Sequence, residues 1–229
     1  GGTGKTPVVA WLARWLKERG HRPGVVSRGY GGRVGQGPRL VADEDPAELV
    51  GDEALLLRRD TGVPVAVGAD RVAAARLLVE RGVDVIISDD GLQHYRLGRD
   101  LELAVMDGSR RLGNGRLLPA GPLREPASRL GEVDLVLVNG GDAAPGEASF
   151  RLVGGTAVLP DGSGGRPLAA FRGQTVRMLA GIGNPDRFRE LLESAGLVVG
   201  EVLAVDDHGR VAEAMLQSAG PPVFMTSKD

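Results

Sequence analysis

The chain begins with a glycine-rich phosphate-binding motif, Gly-Gly-Thr-Gly-Lys-Thr-Pro, at residues 1–7. In such a loop the glycine N–H groups turn toward a polyphosphate, the lysine reaches its outer oxygens and the threonine hydroxyl ligates Mg²⁺. Apolar residues at helical spacing follow, so the loop is predicted to lead into a helix N-terminus, which also favours anions. The predicted nucleotide-binding residues are Gly1, Gly2, Thr3, Gly4, Lys5 and Thr6.

Parts of this motif are expected upstream of the first residue. The full pattern has another glycine five residues before Gly4, and a strand normally precedes the loop. The chain does not start with methionine, and its last five residues follow directly on an apolar run. We therefore expect a fragment that is cut at both ends.

Composition restricts the class of protein. Hydrophobic residues make up 42% and charged residues 25% of the 229 residues, which predicts a globular chain that is soluble and has a core. The formal net charge of −2 argues against nucleic acid as a partner. The absence of cysteine excludes disulfides and thiolate metal sites. No apolar run approaches the roughly 18 residues of a membrane span.

Short β-branched runs alternate with amphipathic stretches, which is typical of a parallel α/β sheet. Strands are predicted at 24–27, 64–67, 83–88, 101–106, 133–138, 175–179, 198–205 and 223–226, with a hairpin at 150–159. Helices are predicted at 7–19, 53–59, 71–81 and 186–195, with another after His208. On the first helix, Trp11 and Trp15 lie four residues apart, and core packing is favoured over a membrane contact.

The predicted fold class is therefore α/β: a P-loop NTPase-like, mostly parallel sheet with helices on both faces, followed by a smaller α/β domain. A stretch rich in glycine, proline and alanine at 140–146 separates the two blocks. We predict a P-loop domain at residues 1–146, without its first strand, and a smaller domain at 147–229 that is truncated at its C-terminus.

Two aspartates, Asp89 and Asp90, follow directly after the apolar strand predicted at 83–88. Carboxylates at the C-terminal end of a central strand, in a chain with a P-loop, are where a Walker-B-type acid holds Mg²⁺. The alternative is a solvated Asp-Asp-Gly turn, which would be favoured if this segment were considered without the rest of the chain. The phosphate-binding motif shifts the interpretation to a metal site formed by Thr6, Asp89 and Asp90.

Four further segments have two interpretations each. Asp52 precedes an apolar helical run, and a helix N-cap is its simpler interpretation. His208 is either a surface residue or a proton-transfer group. Arg28 lies in a glycine-rich segment after a strand, which is either a turn or part of a binding crevice. The proline-rich segment 118–126 is either a substrate loop or a linker.

Taken together, these motifs resemble the tetraacyldisaccharide 4′-kinase family, which phosphorylates the lipid A precursor in bacterial outer-membrane biosynthesis. The resemblance covers nearly the whole chain. Its most specific parts are Asp-Asp-Gly-Leu-Gln-His at 89–94, which we call the first motif, and Gly-Asn-Gly-Arg-Leu-Leu-Pro-Ala-Gly-Pro-Leu-Arg-Glu-Pro at 113–126, the second motif. Two long motifs in the family's order argue against a chance match.

The resemblance implies an ATP-dependent phosphotransferase that uses Mg²⁺ and transfers the γ-phosphate to the 4′-hydroxyl of a tetraacyldisaccharide 1-phosphate, giving lipid IVA. It implies that Asp52 and His208 form the catalytic dyad beside Lys5, and that Asp52 accepts the proton of the sugar hydroxyl directly or through His208. Further residues are implicated at the substrate: Arg28, Tyr30, Arg71, Gln93, His94, Arg124 and Glu125.

Members of the family carry an N-terminal membrane helix ahead of the P-loop. The resemblance thus implies a parent protein that binds the membrane surface through that helix, at the cytoplasmic face of the bacterial inner membrane. The glycolipid is the expected substrate, and no nucleic acid is expected as a partner. The alternative function is a nucleotide-switch ATPase of the partitioning or septum-positioning type, whose deviant P-loop also fits the first six residues.

Overall fold

The computed structural model describes residues 3–33, 35, 37–159, 163–180, 185–204 and 220–226. The chain divides into two compact units, one comprising Thr3–Arg151 and the other beginning at Leu152. The boundary predicted after residue 146 falls before the strand Glu147–Phe150, which pairs with the preceding strand and so lies in the first unit. The predicted site residues Gly1, Gly2 and His208 lie outside the described residues, as does the helix predicted after His208.

The first unit alternates helices and strands. Its helices are α1 (Lys5–Glu18), α2 (Ala47–Val50), α3 (Asp52–Thr61) and α4 (Arg71–Glu80). Its strands are β1 (Pro23–Ser27), β2 (Arg39–Leu40), β3 (Val65–Val67), β4 (Val85–Ser88), β5 (Leu103–Asp107), β6 (Leu135–Asn139) and β7 (Glu147–Phe150). They form two sheets, with the orders β2-β3-β1-β4 and β5-β6-β7. All neighbouring strands in these sheets run parallel except β2 and β3.

The first sheet carries helices on both faces because successive residues of a strand point to opposite sides. Val25 and Val65 pack in the same core cluster as buried residues of α1 and α3. Their neighbours Val26 and Ala66 pack on the other face, with Leu78 of α4. The layers therefore match the predicted α/β class, in which a mostly parallel strand layer is covered twice.

The two tryptophans do not both pack in the core. Trp11 is 56% exposed, and its ring centroid lies 6.1 Å from that of Trp15, over which the Arg19 guanidinium stacks at 3.8 Å. The buried face of α1 is formed instead by smaller residues, Val9, Ala10 and Ala13. The prediction of core packing was therefore wrong for Trp11, because small side chains bring the helix close to the sheet and leave the large ring outside.

The second unit contains a short antiparallel pair, β8 (Thr156–Ala157) and β9 (Arg166–Pro167), and a parallel sheet of β10 (Thr175–Ala180), β11 (Val198–Ala204) and β12 (Val223–Phe224). Helix α5 (Pro185–Ser194) covers this sheet, with Leu192 beside Met178 in the core. The hairpin predicted at 150–159 was wrong, because Phe150 ends β7 in the first unit and β8 pairs with β9.

Two adjacent residues of α4 test the packing of this helix against the sheet of the first unit. Leu78 is fully buried, whereas Val79 is 58% exposed. We expect Leu78→Ala to lower the free energy of unfolding by about 3 kcal/mol, because it removes buried methyl groups and leaves a cavity. Val79→Ala is the matched control and should change that free energy by less than about 0.5 kcal/mol. Urea unfolding followed by circular dichroism measures both, and equal losses would contradict the placement of α4.

Candidate active site

The phosphate-binding loop lies against the C-terminal end of β6. Gly4, directly before α1, has a φ of 96°, and a Cβ added to it would lie 2.5 Å from Asn139 Nδ2. Only glycine fits there, because the conformation is left-handed and the approach is close. Asn139 Nδ2 also donates to the Thr3 carbonyl oxygen at 3.0 Å. Asn139 thus fixes the loop, a role that local sequence could not reveal because 136 residues separate the partners.

The lysine of this loop contacts the second aspartate after β4. Lys5 Nζ lies 2.9 Å from Asp90 Oδ1, and Arg124 Nη1 lies 3.6 Å from Asp90 Oδ2. Burial opposes ionisation of Asp90, but its hydrogen bond to Lys5 and the charges of Lys5 and Arg124 outweigh burial and lower its pKa. The structure therefore brings the P-loop lysine to the twin aspartates, as expected for a shared nucleotide site.

Asp89 lies in a more negative environment than Asp90. It is 2% exposed, and burial, with the nearby carboxylates of Glu53 and Asp90, raises its pKa to about 6 against the attraction of Lys5 and Arg71. Negative charge is thus in excess around a buried carboxyl group, which is typical of functional sites. Glu53 belongs to this charge cluster, and the sequence analysis missed it, although its place directly after Asp52 was the available signal.

A buried arginine supports the turn that carries both aspartates. Arg71 is 5% exposed, and its Nη1 donates to the Asp90 carbonyl oxygen at 2.7 Å and to Ser88 Oγ at 3.4 Å. Asp90 has a φ of 50°, which is uncommon for a residue other than glycine. The hydrogen bond from Arg71 therefore stabilises an unfavourable backbone conformation. The predicted contact of Arg71 with the substrate stays a prediction.

Side chains of the two sequence motifs bond to one another beside Asp90. Gln93 Nε2 donates to Glu125 Oε2 at 3.2 Å, and Arg124 Nη1 donates to Gln93 Oε1 at 3.3 Å. The Tyr95 hydroxyl donates to Glu125 Oε1. Three residues that the sequence analysis assigned to the substrate thus form one network. Tyr95 joins it, although no sequence signal distinguished this residue.

Asp52 is the first residue of α3 and is exposed. Its interpretation as a helix cap was wrong, because Gly51 occupies the N-cap position. A Cβ at Gly51, whose φ is 89°, would lie 2.5 Å from the Tyr30 carbonyl oxygen, so the glycine-rich loop after β1 packs backbone to backbone against the start of α3. This packing brings Asp52 to the loop that carries Arg28 and Tyr30.

That loop forms one wall of an open hollow of about 500 Å³. Arg28, Tyr30, Pro38 and Asp70 line it, together with glycine backbone. Asp70 also caps α4, since its Oδ1 accepts from the N–H groups of Val72 and Ala73 at 3.0 and 3.1 Å. The hollow therefore joins the end of β1 to the start of α4, at the edge of the sheet where α/β proteins bind ligands.

The surroundings of His94 disfavour the charged form of its imidazole. Burial, then the charges of Arg71 and Arg96, lower the pKa of its imidazole. Within the described part of the chain its buried Nε2 has no hydrogen-bond partner. A buried polar atom without a partner is costly in a folded protein. The predicted contact of His94 with the substrate stays a prediction.

Comparison with known proteins decides between the two functions that the sequence left open. The profile of the family described as tetraacyldisaccharide-1-P 4′-kinase (LpxK) matches residues 1–229. The chain belongs to this family. Two curated relatives named tetraacyldisaccharide 4′-kinase come from Alkalilimnicola ehrlichii, 55% identical over 238 residues, and Halorhodospira halophila, 51% identical over 231 residues. Each alignment covers 100% of this chain and 69% of the relative.

The fold agrees with a solved member of the family. The crystal structure of the "apo" form of LpxK from Aquifex aeolicus, in complex with ATP, matches with a TM-score of 0.78 and 28% sequence identity. The match covers 100% of this chain and 75% of that one. The P-loop α/β fold, the phosphotransferase class and the lipid A 4′-kinase function are therefore confirmed. None of these relatives supports the nucleotide-switch alternative.

The raised pKa of Asp89 predicts how stability changes with pH in the metal-free protein. Its folded pKa of about 6 exceeds the ordinary value of 3.8, so the folded state holds this proton more tightly and its stability falls as the pH rises through that range. Asp89→Asn removes this cost. We expect its free energy of unfolding to exceed that of the wild type by about 2 kcal/mol at pH 8, with little difference at pH 4.

Urea unfolding at both pH values, with a chelator and without nucleotide, measures this difference. Asp100→Asn, which removes the same kind of charge at an exposed position, is the matched control. A constant difference between Asp89→Asn and the wild type from pH 4 to pH 8 would contradict the electrostatic environment described for Asp89.

Proposed function

We propose that this chain forms lipid IVA by transferring the γ-phosphate of ATP to the 4′-hydroxyl of a tetraacyldisaccharide 1-phosphate, with the residues of the first unit in the roles that follow. The observation that carries the proposal is the 2.9 Å contact of Lys5 Nζ with Asp90 Oδ1, beside the buried carboxyl group of Asp89. A P-loop lysine and strand-end carboxylates in one cluster are the parts that phosphoryl transfer requires.

The start of α1 supplies the phosphate site. Backbone N–H groups at this helix terminus, the helix dipole and the Lys5 ammonium all favour anionic oxygens. Charge spreads over the γ-phosphate oxygens in the transition state, so fixed donors and cations accelerate transfer by stabilising that charge. Asn139 and Gly4 contribute indirectly, because they hold the loop in its conformation before the nucleotide binds.

Thr6, Asp89 and Asp90 are the residues that would hold Mg²⁺. In the described ranges no three histidine, aspartate or glutamate side chains form a metal group. Mg²⁺ in nucleotide sites, however, usually takes one or two protein carboxylates and completes its shell with phosphate oxygens and water. Burial and the neighbouring carboxylates of Glu53 and Asp90 raise the pKa of Asp89, and a cation bound beside this carboxyl group would offset both effects. When bound, Mg²⁺ supplies neutralising charge at the transferring phosphate.

Asp52 acts as the base in this proposal. A sugar hydroxyl is a weak nucleophile, and assistance to its deprotonation is worth about 10²–10⁴-fold in rate. Asp52 is exposed at the first turn of α3, so an acceptor hydroxyl can approach its carboxylate from solvent. Its packing beside the loop of Arg28 and Tyr30 supports this role. The proton passes to Asp52 directly or through His208, which lies outside the described residues.

The hollow lined by Arg28 and Tyr30 takes the acceptor head group. The Tyr30 side chain lies at the surface, since the residue is 74% exposed, and it offers an aromatic face to a sugar ring. The Arg28 guanidinium offers paired donors to a phosphate. The other predicted substrate residues, Arg71, Gln93, His94, Arg124 and Glu125, surround the Asp89–Asp90 turn. We assign them to the same site, where contacts among them also hold that turn.

An acceptor with four acyl chains stays in a lipid layer, so the enzyme would work at a membrane surface. We place that surface at the cytoplasmic face of the inner membrane, where ATP is present, and assign attachment to the predicted N-terminal helix. Among the described helices, none combines the length and the apolar character that a bilayer crossing requires. The net charge of −2 gives no reason to add nucleic acid to the partners.

Replacement of Lys5 and of Asp52 separates nucleotide binding from chemistry. We expect Asp52→Ala to lower kcat for transfer to tetraacyldisaccharide 1-phosphate by about 10²-fold or more, with little change in the Kd for ATP. Lys5→Ala should abolish transfer and also weaken ATP binding, because the lysine contacts the phosphates themselves. Transfer of radiolabelled phosphate measures the first quantity, and titration calorimetry measures the second.

Asp60→Ala is the matched control on the same helix, where Asp60 forms an exposed ion pair with Arg14 at 2.7 Å. It should leave both quantities near their wild-type values. Wild-type turnover in Asp52→Ala would remove the base assignment. ATP hydrolysis that a protein partner or DNA stimulates, without lipid phosphorylation, would overturn the proposed function in favour of the nucleotide switch.

A further inference from the structure

A cluster of largely buried charges lies next to the network beside Asp90. Arg99 Nη1 donates to Glu102 Oε1 at 2.6 Å, and Arg129 Nη2 contacts the two Glu102 oxygens at 2.7 and 2.6 Å. The side chains of Glu102, Arg129 and Arg99 are 14%, 16% and 24% exposed. One carboxylate thus serves two arginines, in a place where little water is available to replace it.

Arg99 connects this cluster to the backbone of the first motif. Its Nη1 donates to the Leu92 carbonyl oxygen at 2.8 Å, and its Nη2 donates to the His94 carbonyl oxygen at 2.9 Å. These two bonds flank Gln93. The position of Gln93 therefore depends on a guanidinium group that Glu102 holds in place.

Arg129 connects the same cluster to the second motif. Its Nε lies 3.9 Å from Glu125 Oε1. The Tyr95 hydroxyl donates to Glu125 Oε1, so Glu125 lies between Tyr95 and Arg129. Both motifs are therefore anchored through arginines that share Glu102.

A continuous series of polar contacts leads from this anchor to the catalytic cluster. Glu125 accepts from Gln93 at 3.2 Å, Gln93 accepts from Arg124 at 3.3 Å, and Arg124 lies 3.6 Å from Asp90 Oδ2. Asp90 in turn contacts Lys5 at 2.9 Å. Glu102 itself does not take part in these contacts, so any effect on the reaction passes through the two motifs.

We propose that Glu102 is a positioning residue for phosphate transfer: through Arg99 and Arg129 it fixes Gln93 and Glu125, which hold Arg124 beside Asp90. This inference rests on the proposed function. Without the Glu102 carboxylate, two neighbouring guanidinium groups repel each other and cannot both keep their places. A Glu132 oxygen lies 3.6 Å from Arg129 Nη1, but the Glu132 side chain is 70% exposed. Because water surrounds it, this carboxylate cannot replace that of Glu102.

Glu102→Gln tests the inference with a side chain of the same shape. We expect kcat for transfer to the tetraacyldisaccharide acceptor to fall by about 10-fold, because small misplacements of reacting groups are costly. The magnesium concentration for half-maximal ATP binding should rise as well. Glu132→Gln, which removes the exposed carboxylate near the same arginine, is the matched control and should change neither quantity.

A double-mutant cycle with Arg124→Met distinguishes positioning from general loss of structure. If Glu102 acts through Arg124, the double variant falls no further in kcat than Arg124→Met alone. Independent losses that multiply in the double variant would overturn the proposal, as would wild-type kcat in Glu102→Gln. Should Glu102→Gln fail to fold, Glu102→Asp, which keeps the charge on a shorter side chain, enters the same cycle with the same expectation.

The same double-mutant cycle can be measured by calorimetry on the magnesium-dependent affinity for ATP. This measurement does not need the acceptor. Failure of the wild-type protein to phosphorylate the glycolipid, together with a non-additive binding cycle, would refute the proposed function and leave the positioning role of Glu102 supported. Normal wild-type transfer with additive losses in both cycles would refute the positioning role and leave the function standing.

Discussion

The ion pair between Lys5 and Asp90 joins the two parts on which the site depends, the start of α1 and the end of β4. It connects elements that are far apart in the sequence and aligns a cation with the carboxylates. The pair is half-exposed, so its net contribution to stability is small. Its importance lies in geometry, because the loop and the strand end must face the same phosphate.

Support for this geometry comes from buried groups on both sides of the pair. Asn139 bonds the Thr3 carbonyl oxygen and limits residue 4 to glycine, while Arg71 bonds the Asp90 carbonyl oxygen. By contrast, Asp52 and Tyr30 are exposed. The phosphate side of the site is thus held by buried contacts, and the residues proposed for the acceptor lie at the surface, as access for a large glycolipid requires.

Much of this arrangement could be predicted from sequence, and the failures have physical causes. The main strands are continuous runs of apolar, often β-branched residues, and the main helices carry apolar residues at helical spacing, so their positions agree with the structure within a few residues. The two-residue strands β2, β8 and β9 carry no such pattern. The strand β7 was assigned in part to a hairpin, because local sequence does not show that its partner is β6.

In the site as well, residues with a local sequence pattern were predicted and residues without one were missed. The P-loop and the aspartate pair are contiguous motifs, so their chemistry could be inferred from residue type and spacing. Asn139 and Tyr95 act through contacts that only the fold creates, and single residues of these types give no signal. Glu53 was missed although it directly follows Asp52. The capping interpretation of Asp52 failed by one position, since Gly51 takes the N-cap. Sequence therefore identified the chemical groups better than it identified their supports.

The charges at the end of β4 also couple stability to ligand binding. Burial and the carboxylates of Glu53 and Asp90 make ionised Asp89 costly in the folded protein. A cation bound there would remove that cost, and because only the folded state assembles the site, its binding would stabilise the fold. In the proposed metal site, the features that make ionised Asp89 costly would therefore also create affinity for the cation. Neutralising Asp89 would lower that affinity and raise the stability of the fold, as expected where a buried charge serves function at the expense of stability.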